Sequence, residues 1–527
     1  FRELGLDPYQ AIDLDGKMTD ISAPLSGMSV MEARSAAVEI LDRDGKIDSI
    51  EERDQEIPVS ERGGNPIEII LLKEWYVKQV GIQDRLEQLV DRVRFVPERN
   101  KQLLLDWMQS ISIDWPISRR RWYHTEIPIW YSEDGETIVV PPSGTYVRPW
   151  CESPPPGSIA INRSTREEIG KYEDLNLGDL VGEGKVFDTW MDSSNSNLFV
   201  SGYGGDDSNF KRAFPTALRP QGKEIVRTWL YYTMLKSAHL LDSPAFQTVW
   251  IDGLGMDPWG RKMSKSWGNG IDADSVLDCG LGGRTGSWQI RGPDGKSVKL
   301  KANKIGSECF RLWKAAEAQV GDDFHINPEE IESKYFGVLT KIFNVARFAS
   351  QFKSPESMPS NLSNADMWIL SEYDRMRESS EKHWSEIDIY SATQAVKTFL
   401  TGVFPSHWME MAKSRLYDDD PSAAWTLHTV LSGSLAILSP VCPLFCHHLS
   451  SVLYGNSTMY ESEYPRSPGV SINSSDSVTK SMMQFNAEIW RTKKERNLSL
   501  KSPLEDVLIP AELDDYAVDL RKMHSLV

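Results

Sequence analysis

Cysteine is scarce in this sequence: five occur among 527 residues, and most of them lie far apart. A few cysteines, odd in number, do not make the dense disulfide framework of a small secreted domain. The sequence therefore favours a reducing compartment, and we expect a cytoplasmic protein. Cys442 and Cys446 are followed by two histidines, but they enclose Pro443 among apolar neighbours. This pattern is more typical of a helix end in a bundle than of a metal site, so we predict no metal at these residues.

The sequence also lacks an uninterrupted apolar run long enough to cross a membrane. Its longest apolar stretch, residues 426–445, contains His428, several serines and two prolines, which favours a core helix over a membrane span. The first residues lack the apolar core of a signal peptide. We therefore expect no membrane partner.

Positive charge is in deficit, because 58 Lys and Arg stand against 76 Asp and Glu, for a formal net charge of −18. This balance argues against a protein that coats nucleic acid through a generally basic surface, although it leaves room for a local basic groove. Hydrophobic residues make up 40% of the chain, which is enough apolar material for packed cores. At roughly 150 residues per domain, the length suggests about three to four domains.

Apolar spacing divides the chain into an α/β part and a helical part. Residues 29–41 have helical spacing, and residues 67–76 form an apolar run that predicts a buried strand. From residue 186 to 278, strand-like and helix-like stretches alternate between glycine turns, as in a nucleotide-binding core. Residues 279–305 are rich in glycine and then alternate in polarity, which predicts a hairpin-like insertion. Stretches with the period of an α-helix follow from about residue 306 and predict a helical bundle.

A cationic loop is the sharpest chemical feature of the sequence. Residues 261–267, the basic loop, contain Lys262 and Lys265, with a serine on each side of Lys265 and a glycine turn after the loop. Lysine ammonium groups suit phosphate oxygens, and on a triphosphate these two would neutralise the charge that builds on departing pyrophosphate. Two lysines alone would more often form a solvated basic loop. The whole pentapeptide Lys262–Ser266 resembles the signature loop of class I aminoacyl-tRNA synthetases.

Other segments resemble valyl-tRNA synthetases, in the order expected for that family and over most of the chain. Residues 187–194 resemble its strand-end motif, and residues 219–229 resemble its amino-acid-pocket helix in the archaeal form. Residues 117–130 resemble the segment where the chain re-enters the catalytic domain after the editing insertion, and residues 344–348 resemble the start of the anticodon-binding bundle. The resemblance implies an α/β fold: the second half of a Rossmann-like class I synthetase catalytic core, a partial editing-domain remnant and a C-terminal α-helical anticodon-binding bundle.

The resemblance also implies domain boundaries. They are the trailing part of the editing insertion at 1–90, the carboxy-terminal half of the Rossmann-like catalytic domain at 91–310, a stem-contact junction at 311–350, a helical anticodon-binding domain at 351–510 and a C-terminal tail at 511–527. The 279–305 insertion falls within the second of these, and no chemical role follows for it.

The activity implied by the resemblance is ATP-dependent ligation of valine to tRNA(Val) through a valyl-adenylate, with ATP and Mg²⁺. Lys262 and Lys265 would be catalytic. The loop and two upstream glycines would bind ATP: Gly253, Gly255, Lys262, Met263, Ser264, Lys265 and Ser266. An apolar cavity with one anion would hold valine and its ammonium group: Trp190, Glu224, Ile225 and Trp229. Isoleucine enzymes usually carry Gln in place of Ile225 and Gly in place of Thr228, so both positions favour valine.

Two departures from the family matter. Its other ATP signature, His-x-Gly-His, does not occur in this chain. We therefore expect an amino-terminally truncated synthetase that is inactive alone. An isoleucyl-tRNA synthetase and a non-catalytic tRNA-binding remnant remain the alternatives. The zinc-type cysteine pairs of many relatives are also absent, so we predict no structural zinc.

Local basic patches are the candidate tRNA contacts, since a cation beside an aromatic ring suits phosphates and unstacked bases. Two short runs carry them: Arg119, Arg120 and Arg121 before Trp122 and Tyr123, and the pair Lys493 and Lys494. The first run is equally compatible with a buried catalytic-domain element, and the second favours a solvated helix end. By resemblance we expect a monomer.

Overall fold

The computed structural model describes residues 9–60, 63–278, 286–455, 458–470 and 476–527. The chain forms two compact units. Unit 1 comprises Phe1–Gly81 and Ser112–Asp192, and unit 2 comprises Ile82–Ile111 and Ser193–Val527. A packing unit can contain more than one functional domain, so the boundaries expected near residues 90, 310, 350 and 510 stay predictions.

Unit 1 is mainly antiparallel β-structure around a small core. Trp130, Val139, Val147 and Ala160 form that core. The five strands of its main sheet lie in the order Glu168–Lys171, Ile159–Asn162, Thr137–Val140, Trp130–Tyr131 and Val181–Gly182. Two short antiparallel pairs complete the described strands of this unit: Tyr76–Val77 with Trp115–Pro116, and Ser118–Arg119 with Val186–Phe187.

The amino-terminal helix confirms one prediction and the segment after it corrects another. The helix Val30–Arg43 begins with a capping box, in which Ser29 and Glu32 each accept a backbone N–H of the other. The strand predicted at 67–76 is wrong, because only Tyr76 of this run takes part in a ladder. Without a neighbouring strand to cover it, the run leaves its apolar side chains in solvent, and Ile69 is 89% exposed.

Unit 2 contains a parallel sheet with helices, as the alternating sequence pattern predicts. The sheet order is Thr216–Gly222, Phe246–Asp252 and Arg94–Val96. The helices of this part are Gln83–Val90, Lys101–Ser110, Ser196–Ser201, Asp207–Ala213 and Tyr231–Leu241, with a π-helical turn at Val226–Leu230 leading into the last.

The predicted insertion contains a β-hairpin. Its strands Gly286–Arg291 and Ser297–Ala302 pair antiparallel, which confirms the hairpin, and these residues 286–302 are called the hairpin below. Residues 279–285 of the predicted insertion lie outside the described residues. Next along the chain, Phe324–His325 pairs with Gly255–Met256, just before the basic loop.

The predicted helical bundle is confirmed. The helices described from residue 273 onward are Ala273–Asp278, Gly306–Glu317, Pro328–Ile331, Gly337–Ala349, Asn364–Ser385, Ile389–Thr401, Met409–Tyr417, Pro421–Leu438, Pro443–Tyr454, Asp476–Glu495 and Ala517–His524. π-Helical turns occur at Glu332–Phe336 and Val403–Trp408. The helix Pro421–Leu438, which carries most of the longest apolar stretch, is a core helix, as expected.

A buried ion pair joins the helices of this bundle. Asp366 is fully buried and accepts two hydrogen bonds from the Arg415 guanidinium, at 2.7 and 2.9 Å. Trp408 Nε1 and Ser422 Oγ donate to the same carboxylate, at 3.1 and 2.6 Å. The carboxylate is thus fully satisfied, which is the condition for keeping a charge inside a core.

Within the described residues, no helix is long and apolar enough to cross a membrane. In the same part of the chain, no group of three or more His, Cys, Asp or Glu side chains could hold a metal ion. Cys442 and Cys446 are buried free thiols, and burial raises the pKa of both.

Candidate active site

Two parallel strands bring the candidate catalytic segments to one edge of the sheet. In the register of Thr216–Gly222 with Phe246–Asp252, Gly222 lies opposite Asp252 at the last pair. The segment with Glu224, Ile225 and Trp229 leaves the first strand here, and the segment that leads to the basic loop leaves the second. In open α/β sheets, ligands bind at this carboxyl edge of the strands.

Gly253, the first residue after its strand, is fixed by close backbone packing. A Cβ at this position would lie 1.7 Å from the carbonyl oxygen of Asp322. A Cβ on Gly255 would lie 3.2 Å from Ile326 Cδ1, a milder conflict. Close packing against Asp322 therefore explains why residue 253 is a glycine. Its expected approach to a nucleotide stays a prediction.

A buried carboxylate organises the turn before the basic loop. The side chain of Asp257 is fully buried, and its Oδ1 accepts the backbone N–H groups of Trp259 and Arg261 at 3.0 and 2.9 Å. Its Oδ2 accepts Arg261 Nε at 2.8 Å and Asn269 Nδ2 at 3.0 Å. Burial alone would raise the pKa of Asp257, but the hydrogen bonds from Asn269 and Arg261 outweigh it and the pKa is lowered. Asp257 therefore stays an anion at neutral pH.

Asn269 closes the basic loop from its other end. Its Oδ1 accepts the backbone N–H of Ser264 at 2.9 Å, and its Nδ2 donates to the carbonyl of Lys262 at 3.1 Å as well as to Asp257. The side chain is fully buried. The side-chain amide of Asn269 thus links the residues on both sides of the basic loop to Lys262 and Ser264 within it.

The two lysines project from this fixed frame. Lys262 and Lys265 are exposed, and neither forms an ion pair with another described residue. The backbone N–H of Met263 donates to the carbonyl of Gly255 at 3.0 Å, while Ser264 Oγ and Ser266 Oγ lie 3.1 Å apart. The loop is therefore a braced turn that presents two unpaired ammonium groups, an arrangement suited to an anionic ligand.

The other segment at this edge combines a carboxylate with apolar side chains. Glu224 is exposed and forms no ion pair with a described residue, and its carboxylate folds back over Gly222, where a Cβ would lie 2.3 Å from Oε2. Ile225 is half-buried. Trp229 is 7% exposed, donates from Nε1 to the carbonyl of Ser193 at 2.9 Å, and stacks on Phe246 with ring centroids 5.5 Å apart.

Trp190 is placed in unit 1, at the helix Thr189–Ser193, where its backbone N–H donates to Asp188 Oδ1 at 2.7 Å. Glu224, Ile225 and Trp229 belong to unit 2, together with the basic loop. The structure thus groups the last three pocket candidates on one segment, and the pocket role of Trp190 stays a prediction.

Gln221 is a candidate site residue that the sequence did not single out. It is the next-to-last residue of its strand, it is 7% exposed, and both its Oε1 and its Nε2 are buried without a hydrogen-bond partner. A buried amide with neither atom satisfied is costly, unless a ligand supplies the partners. The only sequence signal was an amide at the end of a strand, directly before Gly222.

In the first basic patch, Arg119 and Arg120 form ion pairs within the protein, whereas Arg121 forms none with a described residue. Arg119 forms an ion pair with Asp188 at 2.5 Å, and Arg120 pairs with Glu74 at 3.2 Å. Arg121 is exposed without an ion pair to a described residue. The aromatic side chains beside it are open to solvent as well: Trp122 is 96% and Tyr123 is 91% exposed.

Of the second basic patch, Lys493 and Lys494, the structure contradicts the prediction for Lys493. Lys493 is fully buried, and its Nζ donates to the carbonyls of Leu500 and His524, at 2.6 Å each. This ammonium is therefore not available to a phosphate, whereas Lys494 is exposed.

Comparison with known proteins identifies the family. The family model described as tRNA synthetases class I (I, L, M and V) matches residues 18–327, more than half of the chain. The chain belongs to the class I tRNA synthetases. A second model, the anticodon-binding domain of tRNA ligase, matches residues 366–509, the helical region of this class I synthetase.

Curated relatives resemble this class I synthetase over nearly its whole length. It is 34% identical to the valine–tRNA ligase of Aeropyrum pernix over 99% of the chain, and 32% identical to that of Nanoarchaeum equitans over 100%. The chain spans 61% and 64%, respectively, of these two relatives. Mycobacterium tuberculosis methionyl-tRNA synthetase, solved in complex with methionyl-adenylate, shares the fold with a TM-score of 0.53 at 16% identity, covering 80% of this chain and 71% of that one.

Proposed function

We propose that this class I synthetase attaches valine to tRNA(Val) in two steps that use ATP. One observation carries the proposal: the braced loop with two unpaired lysines leaves the same sheet edge as the segment with Glu224, Ile225 and Trp229. The names of the curated relatives support the choice of valine. Isoleucine, the alternative amino acid, has no such support in these names.

In the first step, a carboxylate oxygen of valine attacks the α-phosphorus of ATP, and the bond to the bridging oxygen breaks to release pyrophosphate. Negative charge builds on the departing oxygens, and Lys262 and Lys265 neutralise it. Because hydrogen bonds already hold the loop, little reorganisation of the protein is needed. Met263, Ser264, Ser266, Gly253 and Gly255 complete the proposed nucleotide contact. Mg²⁺ enters bound to the ATP phosphates.

In the second step, a terminal ribose hydroxyl of tRNA attacks the acyl carbonyl of the adenylate, the bond from the acyl carbon to the phosphate oxygen breaks, AMP leaves, and the hydroxyl proton is released to solvent. Neither step requires a covalent enzyme nucleophile, because positioning and charge stabilisation lower both barriers. The unsatisfied amide of Gln221, at the same strand end, is suited to polar atoms of the bound adenylate.

Valine selection follows from an apolar wall and one anion. Glu224 pairs with the substrate ammonium, and Ile225 and Trp229 bound the side-chain space, with Trp190 as the further predicted member. Such a space excludes larger side chains by size, whereas one methylene is worth only about 1–3 kcal/mol.

The tRNA contacts proposed from the structure are the exposed cations. Arg121, beside the open rings of Trp122 and Tyr123, suits an unpaired nucleotide, and Lys494 suits a phosphate. The helical region matched by the anticodon-binding model would contact the anticodon arm. We further propose a cytoplasmic monomer.

The exchange of labelled pyrophosphate into ATP tests the proposed role of Lys265, in protein expressed from the complete gene. We expect Lys265→Ala to slow valine-dependent exchange by about a hundredfold, since it removes one charge from the transition state. The thermal unfolding should not change, because the side chain is exposed and unpaired. Lys296→Ala, at the exposed hairpin turn, is the matched control. An unchanged exchange rate in Lys265→Ala would remove this residue from the mechanism.

A further inference from the structure

The hairpin touches the basic loop through one guanidinium. Arg261 binds Asp257 through Nε at 2.8 Å and Nη2 at 2.7 Å. The same guanidinium donates from Nη1 to the carbonyl of Gly292 at 3.1 Å and from Nη2 to that of Arg291 at 2.5 Å. A planar guanidinium carries five donors on three nitrogens and can therefore reach a carboxylate and two separate carbonyls at once, whereas a lysine has its three donors on one nitrogen.

A backbone hydrogen bond also joins the hairpin to the residue that follows the basic loop. The N–H of Arg291 donates to the carbonyl of Gly268 at 3.0 Å. Arg261 precedes the two lysines and Gly268 follows them, so the hairpin holds both ends of the segment that carries Lys262 and Lys265.

The hairpin itself is well supported. Ile290, Leu300 and Ala302 are at most 8% exposed and pack into the large core of unit 2. Glu329 accepts the backbone N–H of Lys301 at 2.9 Å, and the Glu332 carboxylate accepts the next two backbone N–H groups after Ala302. The hairpin can therefore act as a fixed support, because its strands are anchored independently of the loop.

We propose that the hairpin positions the basic loop for pyrophosphate release, and that Arg261 is the positioning residue that joins them. This inference rests on the proposed function, because it explains how the ammonium groups are held where charge develops. Small displacements of a charged group lower its contribution to a transition state strongly. Arg261 contacts no reacting atom and acts through Lys262 and Lys265.

Amide hydrogen exchange, measured on the 527-residue chain, tests whether the hairpin holds the basic loop and requires no enzymatic activity. In Arg261→Lys, which retains a charge opposite Asp257 but cannot reach both carbonyls, we expect the backbone N–H groups of residues 263–268 to exchange about tenfold faster. Those of the hairpin strands should keep their protection. Lys296→Ala should change neither set, since its side chain is 84% exposed and lies 3.7 Å from Asp294.

A change on the hairpin side provides the second variant. Replacing residues 292–296 by Asn-Gly shortens the turn, so that the carbonyl after Arg291 belongs to a turn of different geometry and no longer lies where Gly292 accepts from Arg261 Nη1. We expect the same faster exchange in the loop with Arg261 intact. Combined with Arg261→Lys, the replacement should add little, because both changes remove one shared interaction.

The catalytic part is measured in protein from the complete gene. We expect Arg261→Lys and the turn replacement each to lower kcat for pyrophosphate exchange about tenfold, while KM for valine stays within about twofold. If the unaltered enzyme exchanges pyrophosphate and neither variant alters kcat or loop protection, the proposal is overturned. If the unaltered enzyme shows no exchange, the proposed function fails, and the hydrogen-exchange result alone supports or overturns the hairpin's hold on the loop.

Discussion

At the residue scale, the site depends on a few side chains whose roles come from contacts distant in sequence. Asp257 and Asn269 are twelve positions apart, yet one hydrogen bond between them closes the basic loop. Gly253 depends on a carbonyl about seventy positions away. The positions of the two lysines thus depend on residues that have no proposed role in the reaction.

Gly253→Ala tests this dependence. The added Cβ would overlap the Asp322 carbonyl, so the backbone must shift, and we expect unfolding to become easier by about 1–3 kcal/mol. Denaturant unfolding measures the change. Gly270→Ala is the control, because nothing lies within 4 Å of a Cβ there. Equal stability of the two variants would contradict the packing role of Gly253.

The residues of the basic loop could be predicted from sequence, because a motif records them directly. Lys262 and Lys265 are indeed exposed on a turn. Gln221 could not be predicted, because its lack of partners is visible only once the strand is packed. The burial of Lys493 could not be predicted for a related reason: the C-terminal segment covers its helix, and the carbonyl of His524 accepts a hydrogen bond from the ammonium.

At the element scale, the C-terminal helix Ala517–His524 is tied to the bundle by a buried polar chain. Asn486 on the helix Asp476–Glu495 accepts from His524 Nε2 at 2.7 Å through Oδ1 and lies 2.9 Å from His407 Nδ1 through Nδ2. Burial, with Lys493 and His407 nearby, lowers the pKa of His524 to about 4. The neutral imidazole is therefore part of the folded state.

The stability of the protein should consequently fall in mild acid. The unfolded state protonates His524 near pH 6.5 and the folded state only near pH 4, so unfolding takes up a proton between these values. This contribution is complete above about pH 6.5 and is lost as the pH falls towards 4, by up to about 3 kcal/mol. His524→Gln, which can still donate to Asn486, should flatten the pH dependence in this window.

Denaturant unfolding across that window measures the effect, with the exposed His325→Gln as control. A pH dependence identical in His524→Gln and the unaltered protein would show that His524 does not contribute. The measurement is a difference between variants, so carboxylates that titrate in the same window cancel.

The helices of the bundle could be predicted from sequence because their apolar period is long and regular. Residues 67–76 could not, because a short apolar run reads as a buried strand whether or not a partner strand exists. The strand Arg94–Val96 could not be predicted either, since its place in the sheet depends on pairing with Phe246–Asp252. In both segments, pairing with a distant part of the chain decides whether a strand forms, and the local sequence does not show that pairing.

At the scale of the whole molecule, the net charge of −18 no longer argues against a nucleic-acid partner. The exposed cations proposed above as ligand contacts are local groups: the basic loop, Arg121 and Lys494. A net negative charge is compatible with binding nucleic acid through such local basic groups. The family and the helical region could be predicted from motif order, and the family models confirm both.

The amino acid that drives pyrophosphate exchange tests the central claim most directly. Protein from the complete gene should exchange labelled pyrophosphate into ATP with valine, and kcat/KM for isoleucine should be lower by at least about tenfold, because the space beside Ile225 and Trp229 excludes the extra methylene. Exchange supported by isoleucine but not by valine would contradict the account.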